Sequence, residues 1–336
     1  MNIQQNISLR PYNTFGIDVN ARMFAQFGNA AGLEEVLRSL SPAQQMILGG
    51  GSNILFTGDF NGLVLKNNIT GIDVVDEDDE HVYLKVGAGE NWHRFVMYCI
   101  DNNLAGVENL SLIPGNVGAS PMQNIGAYGV EMKEVFHDLE AMHLHEKEVQ
   151  LFTLNDCEFG YRDSVFKRKY KDQFAILTVT FRLNKTPKFN TSYGAIEQEL
   201  DKMGVKNLSI KAISQAVINI RSSKLPDPAV IGNAGSFFKN PTVNASFFES
   251  LKKQFPSIVG YKVGDDAVKL AAGWLIEQCG WKGYRKGDAG CHAKQALVLV
   301  NYGNASGGEI YDLSGEIVES VRNKFGVELE REVNII

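Results

Sequence analysis

The placement of glycine constrains this chain more than any other feature of its sequence. The 336 residues include 33 glycines, which is above the usual frequency of about 7%. The glycines gather in four clusters, at Gly49–Gly51, Gly87–Gly89, Gly115–Gly129 and Gly232–Gly235. Because glycine lets backbone amides approach a ligand closely, these clusters indicate ligand sites lined by backbone more than flexible linkers.

The last glycine cluster contains a lone hydroxyl, Ser236, within Gly232–Phe237. A serine framed in this way can give or take one proton at a fixed point. The stretch lacks the Gly-x-Ser-x-Gly spacing of a hydrolase elbow, so an acyl-enzyme nucleophile is not indicated. A glycine turn before a strand is the structural alternative, and this stretch alone leaves both interpretations open.

Two earlier clusters have the character of cofactor loops. Gly49–Asn53 directly follows the predicted strand Met46–Leu48, as in loops that bind anions through amide N–H groups. It is neither a Gly-x-Gly-x-x-Gly motif nor a P-loop, which argues against a Rossmann fold and an NTPase and leaves a tight turn as the alternative. The loop Pro114–Gly129 adds Gln and Asn side chains, which suit the polar edge of a flavin ring.

Composition excludes several classes of function. The net charge of −6 argues against a nucleic-acid-binding protein. No apolar run approaches the ~20 residues that span a bilayer, and the N-terminus does not resemble a signal peptide. The four cysteines are far apart without a C-x-x-C pair, which favours reduced thiols. We therefore expect a cytoplasmic protein of two or three domains with no nucleic-acid or membrane partner.

Periodicity predicts a mixed chain of helices and strands. Asn91 is a predicted N-cap, and two prolines mark a boundary at Lys224–Pro228. The closing strand is predicted to place Glu332 on its polar face, where it would ordinarily meet solvent. The predicted strands are His81–Val86, Ala141–Leu151, Ala175–Leu183, Ala296–Asn301 and Val327–Ile335, and the predicted helices are Glu90–Leu104, a helix ending before Pro226, Ala245–Gln254, Val268–Cys279 and Gly308–Phe325.

Isolated side chains give weaker indications. Arg162 offers a guanidinium that stays charged at any workable pH, and Tyr193 and Lys224 offer groups suited to a diphosphate. Each of these is, by itself, more typical of a solvated surface. His143 and His145 would share a face of a strand, but no third ligand lies nearby, so no metal site is predicted.

Seven motifs, in order along nearly the whole chain, resemble the UDP-N-acetylenolpyruvoylglucosamine reductase family. The loop around Tyr193 resembles its type I branch, in which that tyrosine closes over bound substrate. Gly50, the middle glycine of Gly49–Gly51, and the tail ending at Ile336 are minor variations. The motifs are Tyr12–Gly16, Leu48–Asn53, Ile113–Gly129, Phe159–Ser164, Arg221–Asp227, Gly232–Pro241 and Leu329–Val333.

The resemblance implies an α+β fold. It consists of a two-lobed FAD-binding module of the vanillyl-alcohol-oxidase (PCMH) type and a C-terminal α/β substrate-binding domain. On this division residues 1–70 form the first lobe, 71–222 the second lobe and 223–326 the substrate domain. The C-terminal strand, residues 327–336, returns near the active site.

The resemblance also implies an activity. FAD, held non-covalently, is reduced by NADPH and then reduces the enolpyruvyl ether of UDP-N-acetylglucosamine to UDP-N-acetylmuramate for peptidoglycan synthesis. The implied enzyme is a cytoplasmic monomer with a small-molecule substrate. Two alternatives stay open at this point: an FAD-dependent oxidase of the same superfamily, and a nucleotide-sugar or flavin-binding protein without turnover.

Carried over position by position, the resemblance assigns roles to individual residues. Ser236 matches the proton donor, and Arg162 and Glu332 match the pair around the substrate carboxylate. The implied substrate-binding residues are Tyr193, Lys224, Asn240 and Gln295. No metal ligand is implied. The implied cofactor-binding residues are Gly49, Gly50, Gly51, Ser52, Asn53, Ile113, Pro114, Gly115, Gly118, Ala119, Ser120, Gln123, Asn124, Gly126, Ala127 and Arg221.

Overall fold

The computed structural model describes residues 2–40 and 44–336; Met1 and residues 41–43, within the predicted first lobe, lie outside this range. Residue contacts divide the chain into two compact units. Unit 1 contains the residues up to Ile7, Ala21–Gly50 and Asn61–Ser223, and unit 2 contains Ser8–Asn20, Gly51–Phe60 and Lys224–Ile336. The finer division into two lobes and a substrate domain stays a prediction.

Unit 1 contains a four-stranded sheet whose end residues reach the unit boundaries. One pair in it is parallel, joining Gln45–Leu48 to Phe60–Asn67. The helix Ala30–Ser39 begins at Asn29, whose side chain accepts the Gly32 N–H, and buries Leu33 and Val36. The strands lie in the order Gln4–Ser8, Asn20–Phe27, Phe60–Asn67, Gln45–Leu48.

A five-stranded antiparallel sheet forms the larger part of unit 1. The helix Trp92–Asp101 contributes to its core, and the rings of Trp92 and Phe95 both pack on Phe181 of the central strand. Asn91 caps this helix by accepting the Arg94 N–H, as the sequence predicts. The strands lie in the order Val149–Thr153, Phe136–His143, Phe174–Asn184, His81–Gly87, Ile72–Glu77.

Two further helices, Gly194–Lys202 and Ile210–Lys224, lie in unit 1 except for the last residue of the second, Lys224. They bury Ile196, Ile213 and Val217 in a cluster of their own. A small hairpin pairs Gly126–Ala127 with Val130–Glu131. The short helices of the chain are Arg10–Tyr12, Glu108–Leu110, Val117–Ala119, Met132–Glu134, Leu154–Cys157 and Val165–Lys167.

Unit 2 is built from three small sheets and three α-helices, with the short helix Arg10–Tyr12 in addition. The helix Gly307–Phe325 begins with a capping box between Ser306 and Glu309 and ends at the left-handed Gly326. The first sheet has four strands in the order Gly232–Ser236, Val298–Asn301, Ala289–Cys291, Arg285–Lys286. The second has three strands in the order Thr242–Asn244, Ala267–Leu270, Gly260–Lys262. The third is the parallel pair Ile54–Leu55 and Asn334–Ile335. The other helices are Ala245–Gln254 and Ala272–Gln278.

Three predicted elements differ from the structure. The strand predicted over Ala141–Leu151 is a hairpin, because a tight turn pairs the His143 N–H with the Glu148 carbonyl. The helix predicted over Val268–Cys279 begins only at Ala272, after a strand. The closing segment buries its apolar residues as predicted, but regular pairing is confined to Asn334–Ile335 and one bridge.

Candidate active site

Backbone pairing brings Ser236 and Glu332 close together in unit 2. The Glu332 N–H donates to the Phe237 carbonyl at 2.8 Å, and the Lys239 N–H donates to the Glu330 carbonyl at 2.9 Å. Phe237 follows Ser236 directly, so the predicted proton donor is the neighbour in sequence of the residue whose backbone pairs with the predicted carboxylate, Glu332. Both side chains are half-buried. Glu332 therefore does not share the solvent exposure of Glu328 and Glu330 that its sequence pattern suggested.

The backbone conformation of the strand that ends at Ser236 explains why this strand contains glycines. Gly232–Ser236 pairs with Val298–Asn301, and the register shifts between Asn233 and Ser236. Gly235 has a φ of +70°, a left-handed conformation that glycine adopts without steric cost. The glycine-turn alternative is thus replaced by a bulged strand that ends at the hydroxyl.

Asn53 lies beside Glu332 in the same unit. Its Nδ2 donates to the Glu332 carbonyl at 3.3 Å, and its own carbonyl accepts the Asn334 N–H at 3.1 Å. The Glu332 backbone is therefore held at both its N–H and its carbonyl. Asn53, predicted as a cofactor ligand from resemblance, has in addition a positioning contact with the predicted catalytic carboxylate.

Thr14 joins two glycine stretches of unit 2. Its N–H donates to the Gly51 carbonyl at 3.1 Å, and its hydroxyl donates to the Asn233 carbonyl at 2.6 Å. Gly51 has a φ of +63°, and a Cβ there would lie 2.0 Å from the Tyr12 carbonyl oxygen. Only glycine fits this position, so the motif Tyr12–Gly16 supports the first glycine cluster at Gly51.

Asn240 and Gln295, both predicted to bind substrate, meet the start of one helix. Asn240 Oδ1 accepts the Ala272 N–H at 2.9 Å. A Cβ added at Gly273 would lie 2.9 Å from Gln295 Oε1. The helix Ala272–Gln278 therefore sets the position of both amide side chains. Lys224, the remaining predicted substrate residue of unit 2, is exposed.

In unit 1, Gly50 packs directly against the second predicted cofactor loop. A Cβ at Gly50 would lie 2.9 Å from the Gly115 Cα and 2.7 Å from Asn116 Oδ1. The Asn116 Nδ2 donates to the Gly89 carbonyl at 2.7 Å, and the Gly115 carbonyl accepts the Trp92 N–H at 3.0 Å. Three of the four glycine clusters thus meet at one place. Gly50, a variation within the family motif, is required by this contact.

A cavity of about 150 Å³ adjoins these loops within unit 1. Gly49, Gly118 and Ala119 line it. A Cβ added at Gly118 would lie 2.6 Å from the Ala88 Cβ, so the position has no room for a side chain. Several aromatic and aliphatic side chains complete the wall. This volume suits one ring system rather than a whole dinucleotide. Close backbone approach beside a cavity with aromatic walls fits one ring system of a flavin dinucleotide. The other lining side chains include Met46, Ile47, Phe166, Tyr170, Asp172 and Phe174.

Two predicted cofactor residues already use their side chains within the protein. Asn124 is fully buried; its Nδ2 donates to Glu131 and to the Gly160 carbonyl, and its Oδ1 accepts the Lys133 N–H. The Ser120 hydroxyl donates to the Val117 carbonyl at 2.7 Å. These contacts shape the loop. A cofactor role for either residue stays a prediction, as it does for Ile113, Pro114, Gln123 and Ala127.

Arg162 is held at the end of the same loop. It has a φ of +53° and its Nη2 donates to the Gly126 carbonyl. A Cβ at Gly126 would lie 3.0 Å from Arg162 Nη1, which explains a glycine there. The neighbouring Asp163 pairs with Arg168 at 2.7 Å. The guanidinium is thus fixed by the loop Pro114–Gly129 rather than free on a surface.

Arg221 and His93 support the start of the loop through Leu112, which has a φ of +59°. The Leu112 N–H donates to His93 Nδ1 at 3.0 Å, and the Leu112 carbonyl accepts Arg221 Nε at 3.2 Å. Burial and the nearby Arg221 cation lower the pKa of His93, which keeps the imidazole neutral and able to accept. The Arg221 cation also lies near the Tyr128 hydroxyl, whose pKa burial raises and the cation lowers.

Several of these positioning residues were not found by sequence reasoning. Thr14, His93, Tyr128 and Gly273 act through partners far away in the chain. Thr14 and Asn233, for example, are 219 positions apart. Thr14 and Tyr128 lie inside matching motifs, which is the only signal that could have marked them.

Among the described residues, no group of three or more His, Cys, Asp or Glu is arranged to hold a metal ion. The four cysteines, all within the described part of the chain, are free thiols. None of the helices in residues 2–40 and 44–336 is long and apolar enough to cross a membrane.

Family models match both parts of the chain. A model described as FAD binding domain matches residues 21–148, and one described as UDP-N-acetylenolpyruvoylglucosamine reductase, C-terminal domain, matches residues 227–336. The first agrees with the cofactor loops of unit 1, and together the two matches confirm the predicted α+β organisation.

Curated relatives match over the whole length. A UDP-N-acetylenolpyruvoylglucosamine reductase of Pseudomonas syringae pv. tomato is 51% identical over 340 residues, covering 100% of this chain and 99% of the relative. One of Amoebophilus asiaticus is 52% identical over 338 residues, covering 100% of both. The crystal structure of the reductase from Thermus caldophilus aligns with a TM-score of 0.70 at 23% identity, covering 100% of this chain and 99% of that one, which supports the fold. With half of its residues shared along the full length of such relatives, this chain belongs to the UDP-N-acetylenolpyruvoylglucosamine reductase family.

Proposed function

We propose that this chain is an FAD-dependent UDP-N-acetylmuramate dehydrogenase. It uses NADPH to reduce UDP-N-acetylenolpyruvoylglucosamine to UDP-N-acetylmuramate in peptidoglycan synthesis. The observation that carries the proposal is the full-length identity of about half to reductases of this name, together with the FAD-binding match over residues 21–148. The substrate is a small-molecule nucleotide sugar. The enzyme is further proposed to be a cytoplasmic monomer with no nucleic-acid or membrane partner.

The cofactor is proposed to be held without a covalent bond. The glycine loops at Gly49–Asn53 and Ile113–Ala127, with Arg221, would hold it through backbone amides and a few polar side chains. Bound FAD supplies a hydride acceptor for NADPH and a hydride donor for the enolpyruvyl double bond. The proposed domains are residues 1–70 and 71–222 for the cofactor and 223–326 for the substrate.

An enol ether is electron-rich, so it accepts a hydride only when its carboxylate is drawn into conjugation. We assign this task to Arg162 and Glu332. Arg162 stays cationic at any workable pH, and its contact with the Gly126 carbonyl fixes the guanidinium before substrate arrives. The Glu332 backbone is held at both polar groups. Preorganised groups of this kind contribute on the order of 3 kcal/mol each to transition-state stabilisation.

Ser236 is proposed to deliver the proton that completes the reduction. The hydride forms a C–H bond at one carbon of the double bond while the π electrons move toward the carboxylate. The Ser236 O–H bond then breaks, its proton bonds to the neighbouring carbon, and water returns a proton to the oxygen. A hydroxyl is able to do this because it is a stronger acid than the carbon centre it protonates.

The substrate diphosphate and uridine are assigned to Tyr193, Lys224, Asn240 and Gln295. Support for the two amides comes from their common anchor, the helix Ala272–Gln278. A charged or hydroxyl group that binds substrate and transition state equally alters KM more than kcat. Replacement of Lys224 by alanine should therefore raise KM for the nucleotide sugar while kcat changes little.

The test replaces Ser236 by alanine and follows flavin absorbance by stopped flow. NADPH should bleach the Ser236→Ala flavin at the native rate. Anaerobic reoxidation by the enolpyruvyl substrate should slow by on the order of 10²- to 10⁴-fold. Ser257→Ala, an exposed serine of the same unit, is the matched control and should change neither rate.

Three results would overturn the assignment. Equal slowing of both half-reactions would remove the proton-donor role of Ser236. A yellow native protein that is never bleached by NADPH would indicate a binding protein without turnover. Rapid H₂O₂ formation from a simple alcohol would indicate an oxidase.

A further inference from the structure

Asn109 and Asn190 fasten an irregular segment of unit 1, residues 187–193, to the turn at Tyr128–Gly129. Asn109 is 2% exposed, and its Nδ2 donates to the Tyr128 carbonyl at 3.0 Å and to the Asn190 carbonyl at 2.9 Å. The Asn190 Nδ2 donates to the Gly129 carbonyl at 3.1 Å, and its Oδ1 accepts the Ser192 hydroxyl at 3.0 Å. Side-chain amides, and not a strand ladder, thus hold this segment, which we call the 187–193 segment.

The receiving turn is shaped for this contact. Tyr128 and Gly129 have φ values of +51° and +83°. A Cβ at Gly129 would lie 3.3 Å from the Asn190 Nδ2, which would press on the amide. The left-handed pair turns both carbonyls toward the two asparagines. The conformation of the turn therefore accommodates the Asn190 side chain and orients the carbonyl that it binds.

The attached segment ends at Tyr193, whose ring lies edge-to-face on Tyr128 with the centroids 5.4 Å apart and the planes at 85°. Tyr128 lies near the Arg221 cation, whose Nε donates to the Leu112 carbonyl at 3.2 Å. Tyr128 is thus a neighbour both of Arg221, proposed to bind the cofactor, and of Tyr193, proposed to bind the substrate. Tyr193 itself is 45% exposed, and its ring contact with Tyr128 is one of the contacts that set its position.

We propose that Asn109 and Asn190 are positioning residues that hold Tyr193 on Tyr128, in the arrangement that binds the nucleotide-sugar substrate. This inference rests on the proposed function of Tyr193. When only a fraction of molecules has the binding-competent arrangement, the apparent dissociation constant rises by the inverse of that fraction. Loss of the Asn190 side-chain hydrogen bonds should therefore weaken substrate binding roughly three- to tenfold.

The kinetic test uses Asn190→Ala in the FAD-loaded enzyme, with Lys188→Ala as the matched control. Lys188 is an exposed residue of the same segment. Asn190→Ala should raise KM for the enolpyruvyl substrate by the stated factor, with kcat within twofold and flavin bleaching by NADPH unchanged. Lys188→Ala should match the native enzyme. Asn190→Asp, which keeps the acceptor for Ser192 but loses the donor to Gly129, should reproduce the KM effect. An unchanged or lowered KM in Asn190→Ala overturns the proposal.

A second measurement tests the attachment without any turnover. Chymotrypsin cleaves after aromatic residues, and the 187–193 segment offers Phe189 and Tyr193, both more than 40% exposed. Cleavage within the segment should be faster in Asn190→Ala than in the native holoprotein and in Lys188→Ala. Equal cleavage rates overturn the attachment even if KM rises. If the native protein reduces no substrate, the proposed function fails, and the cleavage rates still decide whether the asparagines hold the segment.

Discussion

Gly273 shows how one missing side chain sets the position of a predicted substrate ligand. It is the second residue of the helix Ala272–Gln278, and its Cα faces the Gln295 amide. Gly308 is likewise the second residue of a helix, Gly307–Phe325, but the nearest atom to an added Cβ there is 3.9 Å away. The two glycines occupy matched local positions and differ only in what faces them.

We expect Gly273→Ala to raise KM for the nucleotide-sugar substrate about three- to tenfold with little change in kcat, because the new methyl displaces Gln295 and weakens binding equally in ground and transition states. Gly308→Ala, the control, should leave KM unchanged and raise stability slightly, since alanine favours helix by up to about 1 kcal/mol over glycine. Steady-state kinetics on both variants measure the difference. Equal KM values for the two variants would show that Gln295 does not bind the substrate or that its side chain moves aside without cost.

A comparison of Gly51 with Gly16, both in unit 2, distinguishes the cost of a left-handed backbone from the cost of a steric collision of the side chain. Both have left-handed φ values, +63° and +67°, but a Cβ at Gly51 collides with the Tyr12 carbonyl while one at Gly16 meets nothing within 4 Å. Gly16→Ala should lower the free energy of unfolding by about 1–2 kcal/mol, the cost of the backbone conformation alone. Gly51→Ala should lower it by about 3–5 kcal/mol because the turn must also move. Urea denaturation measures both values, and similar losses would mean that the Tyr12 loop yields easily.

Among the elements, local patterns predicted the helices best. The helix predicted over Glu90–Leu104 is Trp92–Asp101 in the structure, and its predicted Asn91 cap is confirmed. Both signals are local, because Asn91 directly precedes the helix and Trp92, Phe95, Val96 and Cys99 recur at helical spacing. The hairpin at residues 136–153 was missed because its turn is a polar His-Glu-Lys-Glu sequence without glycine or proline. The local sequence was therefore sufficient to predict the helix but gave no signal for the turn of the hairpin.

The site could be predicted only in part for a related reason. The glycine loops and Ser236 stand out in sequence, because their backbone requirements are local. Glu332 looks like Glu328 and Glu330 in the sequence, and its contacts with Phe237 and Asn53, which lie far away in the chain, are not visible there. Resemblance to a family was needed to mark it, since no pattern within Val327–Ile335 distinguishes the three carboxylates.

The helix Trp92–Asp101 contributes a pH-dependent contact through His93. Burial lowers the pKa of His93 from the ordinary value of 6.5, so the unfolded chain takes up a proton at a pH where the folded chain does not. The contribution is fully present above about pH 6.5 and is lost as the pH falls below it. His93→Asn keeps an acceptor for the Leu112 N–H but cannot titrate.

We therefore expect the free energy of unfolding of His93→Asn to fall less steeply than that of the native protein between pH 7 and pH 5. His145→Asn, which removes an exposed imidazole in a turn, is the control and should keep the native slope. Chemical denaturation at several pH values provides the measurement. A native slope in His93→Asn would mean that His93 stays neutral in both states or is protonated in both.

At the scale of the whole molecule, unit 2 is assembled from three separate stretches of chain. Its two N-terminal stretches supply buried groups to the C-terminal part. Phe15 and Phe56 are almost completely buried, and the Asn301 Nδ2 donates to the Phe15 carbonyl at 3.0 Å. The strand Ile54–Leu55 pairs with Asn334–Ile335, next to Glu332. The family model therefore matches residues 227–336 as one homologous region, but this region lacks the two N-terminal stretches that complete the structural unit.

It follows that residues 224–336 expressed alone should not form the native unit. Without Phe15 and Phe56 the core has two large vacancies, each comparable to a Phe→Ala change of about 3–5 kcal/mol, and the sum approaches the whole stability of a typical domain. The fragment should show no cooperative thermal transition in calorimetry and a weak near-UV circular dichroism signal, while the full chain shows both. A cooperative transition with an enthalpy near the usual ~0.7 kcal/mol per residue would contradict this, because it would show that the C-terminal part closes its own core without Ser8–Asn20 and Gly51–Phe60.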